Sequence, residues 1–206
     1  MFCNENEHII NTMNFQFDER RATQAAAYLI ALNQNELNYM KLIKLLYLSD
    51  REALLRWQQP ITGDRYYSMR FGPIVSNILD KISSGPNPYQ PDYWSTFIEL
   101  SLQDRYSVTT KKQVDYNELS ERERELLKEI DEQFKSYDQW KLADYCHVHL
   151  PEWKDPRDSS CLITVEEIIR AGNPSIAESE IHEILELVEF NAFLEQTSRE
   201  SLHEAR

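Results

Sequence analysis

Glycine is scarce: the 206-residue chain has four, at positions 63, 72, 85 and 172. Neither a GxGxxG turn nor a GxxxxGK[ST] phosphate loop can be assembled from them, which excludes the common nucleotide-binding signatures. Cysteine is equally thin. Cys3, Cys146 and Cys161 are odd in number and lack a CxxC spacing, a pattern that predicts neither a disulfide framework nor a cysteine-based zinc site and fits a reducing compartment. No segment reaches the ~20 consecutive apolar residues of a membrane span, and the opening MFCNENEHII lacks a basic leader and an apolar run. The chain is therefore expected to be cytoplasmic, without a membrane partner. HExxH and GxSxG are both missing. Basic charge is also short: 22 Lys and Arg against 35 Asp and Glu leave a net charge of −13. Such a chain is repelled by phosphate backbones, so general nucleic-acid binding is not expected.

What the chain does have is a core. Hydrophobic residues make up 41% and aromatics 11%, too many for a disordered polypeptide. Length and composition fit one domain with an appended segment. Residues 1–112 carry 12 acidic and 12 basic side chains, so the whole −13 falls on residues 113–206. An acidic half reads first as solvated helix faces and second as a match for a basic partner.

Periodicity gives a mainly α, α+β architecture: a compact helical domain with a small antiparallel β-hairpin or sheet and a helical C-terminal extension. A flexible N-terminal arm is expected over residues 1–17, the domain over 18–155, and the acidic extension, packed on the domain or appended to it, over 156–206. Asp18 suits a helix N-cap. Residues 37–48 hold nine apolar side chains in twelve, the mark of a helix at the middle of a core, continuing towards Trp57 and ending before Pro60. Residues 66–71 read as a strand or extended loop. Gly72-Pro73 is expected to open a helix, with Pro73 at its first position and Gly85 as its stop. Apolar alternation at Ile98, Leu100, Leu102 and at Tyr106, Val108, Thr110 predicts a hairpin with one buried face. Ser120 with Glu123 and Thr164 with Glu167 have capping-box spacing, and Asp138 is a further cap. A last helix should bury Ile181, Ile184, Leu185, Val188 and Ala192, with Leu187, Phe190 and Leu194 widening that face.

Chemistry-bearing constellations are few. Cys146, His147 and His149 are the one Cys/His cluster; on a helix the two histidines point to different faces and cannot chelate one metal. A buried small thiol and a helix-end histidine are the simpler reading, and neither a catalytic residue, a metal site nor a cofactor is expected. The glutamates at 178, 180, 183 and 186 read as a solvated face. The distinctive stretch is Arg65-Tyr66-Tyr67-Ser68-Met69-Arg70-Phe71. Arginine and tyrosine anchor protein interfaces because each combines contact area with a polar tip. Arg65, Tyr66, Tyr67, Arg70 and Phe71 are thus candidate partner-binding residues, with core closure by Tyr66 and Phe71 as the competing reading.

Taken in order, Lys41-Leu42-x-Lys44-Leu45-Leu46-Tyr47, Trp57, Gly63-Asp64-x-x-Tyr67, Arg70-Phe71-Gly72-Pro73-Ile74-Val75, and then Leu142-x-x-Tyr145-Cys146-His147 with Pro151 and Trp153 resemble the Panacea, or SocA-like antitoxin, domain over residues 20–155. Lys41, Leu45, Tyr47, Trp57, Gly72, Pro73, His147 and Trp153 carry that pattern. Cys146 stands where Thr or Ser is usual. The resemblance implies a non-enzymatic antitoxin of a bacterial or phage toxin–antitoxin pair that binds and neutralises a cognate protein toxin. The alternative it implies is an adaptor that delivers its toxin to a ClpXP-type protease, with ClpX as partner. A metal or Cys/His enzyme and a transcription regulator are further readings from the residues alone, the second opposed by the missing basic recognition helix.

Overall fold

The computed structural model describes residues 15–204 apart from 86, 88 and 90. Chain order is α1 (Glu19–Leu32), β1 (Glu36–Asn38), α2 (Tyr39–Trp57), β2 (Tyr66–Met69), β3 (Gly72–Val75), α3 (Ser76–Ser84), α4 (Tyr93–Phe97), β4 (Ile98–Leu100), β5 (Ser107–Thr110), α5 (Glu121–Gln133), α6 (Gln139–His149), β6 (Cys161–Ile163), α7 (Val165–Gly172) and α8 (Glu178–Glu204). The mainly α, α+β expectation is met: the described residues form these helices and two three-stranded antiparallel sheets, ordered β1-β5-β4 and β3-β2-β6.

Helix α2 is the hub. Leu42, Leu45, Leu46, Tyr47 and Leu54 are fully buried, and the helix packs on α5, α6, α7 and β3. Its start differs from the sequence expectation. Leu37 belongs to β1 and pairs with Val108, while the Asn38 side chain accepts the Met40 and Lys41 amides at 3.0 and 3.3 Å and so begins the helix at Tyr39. A capping side chain and a strand partner 71 positions away in sequence numbering, at 37 and 108, outweigh the apolar run. The Asp18 cap is as expected, accepting the Arg21 amide at 3.0 Å.

Gly72-Pro73 does not open a helix. It begins β3, in which Ser68 faces Pro73 and Met69 faces Gly72, and α3 starts only at Ser76. Pro73 is tolerated because β3 is an edge strand, where a missing N–H leaves no gap in the ladder. Val75 offers no side-chain cap to α3. Asp64 does so instead from across a loop, accepting the Asn77 and Ile78 amides at 2.9 and 3.1 Å.

The hairpin of β4 and β5 forms as expected, though its buried face is Ile98 and Val108 alone; Leu102 and Tyr106 face solvent. Both capping boxes are present. Positions 1–14 of the expected arm lie outside the described residues, whereas Phe15 is buried in the core. Beyond residue 155, β6 pairs with β2, and α7 packs on α2. In α8, Ile181 and Val188 are buried, with Ile184, Leu185 and Ala192 packed against the core. Leu187, Phe190 and Leu194 do not widen that face: they are exposed, and Phe193 with them.

Candidate protein-binding site

The sheet β3-β2-β6 has two unlike faces because its side chains alternate. Val75, Tyr66 and Ile163 lie side by side in register and are all buried. Ile74, Tyr67 and Leu162 form the neighbouring row on the other face, half-buried or exposed, with Met69 exposed further along β2. At the β2–β3 turn, Phe71 is 46% exposed and meets Trp140, 53% exposed, edge-on at 5.5 Å between ring centres. The Arg70 guanidinium lies over the Phe71 ring at 5.6 Å. Edge-to-face rings prefer this geometry, so two large apolar side chains are held in water by each other.

Tyr66, expected among the partner-binding residues, is not available to a partner. It is 3% exposed, packs edge-on to Tyr47 at 5.5 Å, and donates its hydroxyl to Asp50 at 3.0 Å. For Tyr66 the core reading is the right one; for Phe71 it is not. Arg65 and Arg70 are exposed and Tyr67 half-buried, so four of the five are accessible. Met69, Ile74, Trp140 and Leu162 complete the face and were missed. The period-two alternation of 66–69 and 72–75 was a signal for Met69 and Ile74. Leu162 had none, because a three-residue strand is too short to show a period.

The face is fastened from below by α2. Buried Asp50 accepts the Ile61 and Thr62 amides at 2.8 and 2.9 Å and the hydroxyls of Thr62 and Tyr66. Burial, opposed by those hydrogen bonds, raises its carboxyl to about 6. Buried Glu152 accepts the Tyr47 hydroxyl at 2.9 Å and Arg51 Nε at 2.7 Å. Trp153 donates Nε1–H to the Met69 carbonyl at 3.0 Å and stacks on His147 at 4.1 Å. Gly72 has φ +101°, and a Cβ there would stand 3.0 Å from Lys44 Nζ and 3.4 Å from Cys146 Cβ. The pattern residues therefore converge: Leu45 and Tyr47 in the core, Gly72 and Pro73 in the turn, His147 and Trp153 bracing it. Lys41 reaches the Lys135 carbonyl at 3.4 Å, and Trp57, beneath the Arg122 guanidinium at 4.8 Å, lies elsewhere.

The chemistry of nucleophiles is poor here. Cys146 is fully buried, and burial pushes its thiol up to about 11, which keeps it protonated and unreactive. His149 stacks on Tyr145 at 4.3 Å, away from the His147–Trp153 stack. Among the described residues no group of three or more His, Cys, Asp and Glu is placed to hold a metal ion, and no helix is long and apolar enough to cross a membrane. Cys161 is disulfide-bonded, contrary to the expectation from cysteine count, and cysteine usage therefore lends no support to a reducing compartment.

A family model described as antitoxin SocA-like, Panacea domain, matches residues 42–154, more than half of the chain. This chain belongs to the Panacea antitoxin family. The matched region begins within α2 and takes in both strands of the turn, the hairpin β4–β5, α6 and Trp153; α1, β6, α7 and α8 lie outside it. No curated protein and no solved structure matches the chain.

Proposed function

We propose that this Panacea protein neutralises a cognate protein toxin by direct binding, using the face built from Tyr67, Met69, Arg70, Phe71, Trp140 and Leu162, and carries out no covalent chemistry. The observation that carries the reading is the Phe71–Trp140 pair, held exposed beside Arg70 on a turn braced from four sides. Aromatic and arginine side chains on a rigid mount contribute most of the energy at interfaces, since little ordering entropy is lost when they dock. The acidic half would steer a basic toxin and speed its capture, with less influence on final affinity.

Co-expression with the product of the neighbouring open reading frame tests this. The wild-type chain should rescue growth, while Phe71→Ala with Trp140→Ala should lose rescue at unchanged thermal stability. Rescue by that double variant, or a neighbouring product that is not toxic, would overturn the proposal. The adaptor reading draws on a separate observation, the exposed Leu187, Phe190, Phe193 and Leu194 on α8. Because β6 belongs to the sheet, the informative truncation starts at 178 and leaves 161–163 in place. An adaptor so shortened would still bind toxin but no longer promote its turnover.

A further inference from the structure

Among the described residues, Arg21, Arg51 and Lys81 each come with a carboxylate and Lys41 with the Lys135 carbonyl at 3.4 Å, whereas one buried cation has neither. Arg21 is paired with Glu123, and Arg51 with Glu152, each acid contributed by a distant segment. Partly buried Lys81 is held between Glu19 and Asp92 at 2.8 and 2.7 Å. Lys44 breaks the rule. It is 1% exposed, among the largest fully buried side chains, and makes no hydrogen bond or ion pair with any described residue. The neighbour that favours its charge is the Cys146 thiol, itself protonated in this setting, and burial lowers the ammonium to about 8. In a chain with 35 acidic side chains, a buried ammonium left with neither a carboxylate nor a carbonyl is unusual, because desolvation without a partner is among the costliest arrangements a fold can keep.

Its position is equally specific. Nζ lies directly against Gly72 at the β2–β3 turn, beneath the exposed Arg70 and Phe71. The His147 imidazole is near enough to feel the Lys44 charge; it hydrogen-bonds the Arg70 backbone, and its Nε2 is buried and unbonded. The cationic pole matches a carboxylate oxygen, which takes a charge-assisted hydrogen bond from an ammonium. A polyanion is a poor occupant, given the net charge of −13. The cavity between α3, α4 and the β4–β5 hairpin and the one between α2, α7 and α8 are both lined by other residues. At 1% exposure Lys44 has room for no more than a single small group, carried in on a docked protein.

Resting on the antitoxin reading above, we infer that Lys44, with His147 beside it, is the receptor for one Asp or Glu carboxylate of the toxin, admitted along the seam between the Gly72 turn and α6. Arg70 at the mouth guides it. The complex then supplies the counter-charge that the free protein lacks, so the ammonium discriminates bound from free and rewards a correctly placed acid. A partner without an acid at that point would leave the cation buried and alone.

Lys44→Met separates this from a structural role, since it preserves side-chain length and removes the charge. In the free chain its thermal midpoint should match or exceed that of wild type, because no internal partner is lost. Titrated calorimetrically with the purified product of the neighbouring open reading frame, it should bind at least about 30-fold more weakly than wild type. Changing each toxin Asp and Glu to its amide in turn should then find one position that weakens wild-type binding and has no effect on Lys44→Met. Equal binding by Lys44→Met, a midpoint several degrees lower, or no such toxin carboxylate would each overturn the inference. A wild-type chain that fails to bind the neighbouring product overturns the antitoxin reading and this inference with it.

Discussion

Removing the Asp50 carboxylate is the most informative single perturbation of the frame that holds the proposed binding face. Asp50 Oδ1 accepts the Ile61 and Thr62 amides, while Oδ2 accepts the Thr62 and Tyr66 hydroxyls. In Asp50→Ala the two hydroxyls can rotate towards each other, but the two backbone N–H groups have no such freedom. At about 2 kcal/mol for each buried amide left unbonded, the variant should lose about 4 kcal/mol. With a urea m-value of about 2.5 kcal/mol/M for a chain of this size, the midpoint falls by about 1.6 M. Asp50→Asn should behave differently. Its carbonyl can keep both amides, and its NH2 can donate to the two hydroxyls, which act equally well as acceptors. That variant also isolates the charge. The wild-type carboxyl is raised from 3.8 to about 6 by burial, so between those values the folded chain holds a proton that the unfolded chain has released. Stability from this group is therefore full below 3.8 and lost as pH rises through 6, by about 3 kcal/mol. Urea melts of wild type and Asp50→Asn from pH 4 to 7.5 should show wild type falling relative to the amide by that amount. A midpoint shift under about 0.5 M for Asp50→Ala at unchanged m, or a wild-type slope of the opposite sign, would refute the reasoning.

Three further outcomes are expected. Gly72→Ala combines a left-handed φ with a Cβ 3.0 Å from Lys44 Nζ, and should lower the thermal midpoint by about 4–8 °C, for a loss of about 2 kcal/mol read by calorimetry. Glu152→Ala removes the buried partner of Arg51 Nε, whose side chain is 11% exposed, leaving the guanidinium only Glu52 at 3.3 Å, and frees the Tyr47 hydroxyl. A loss of about 3 kcal/mol in urea melts is expected, and a loss below about 1 kcal/mol would show that Glu52 alone satisfies Arg51. Cys146, buried and pushed up to about 11, should resist alkylation at pH 7.5 in the folded protein and react within minutes once unfolded in denaturant, as followed by mass spectrometry.

The chain's local instructions were legible without coordinates. Asp18, Ser120, Asp138 and Thr164 mark helix starts because a capping oxygen acts within three residues of itself. The apolar run before Trp57 identified the central helix, since a segment apolar on most sides has nowhere else to go. The ordered set from Lys41 to Trp153 pointed to the family, and Arg70 and Phe71 lie exposed at the β2–β3 turn. What required the tertiary structure was everything set by distant partners. Leu37 is a strand because Val108 lies beside it, and Gly72-Pro73 is a strand because Ser68 and Met69 face it. Tyr66 and Phe71, five residues apart in one aromatic stretch, went to opposite fates: Asp50 draws one inward, and Trp140 holds the other out. Lys44 reads in sequence as one of two lysines on a narrow polar edge; that Lys41 finds a carbonyl and Lys44 finds none depends on which loops fold over each. Periodicity and capping act over one helical turn, whereas burial and pairing are decided by whatever the rest of the chain brings alongside.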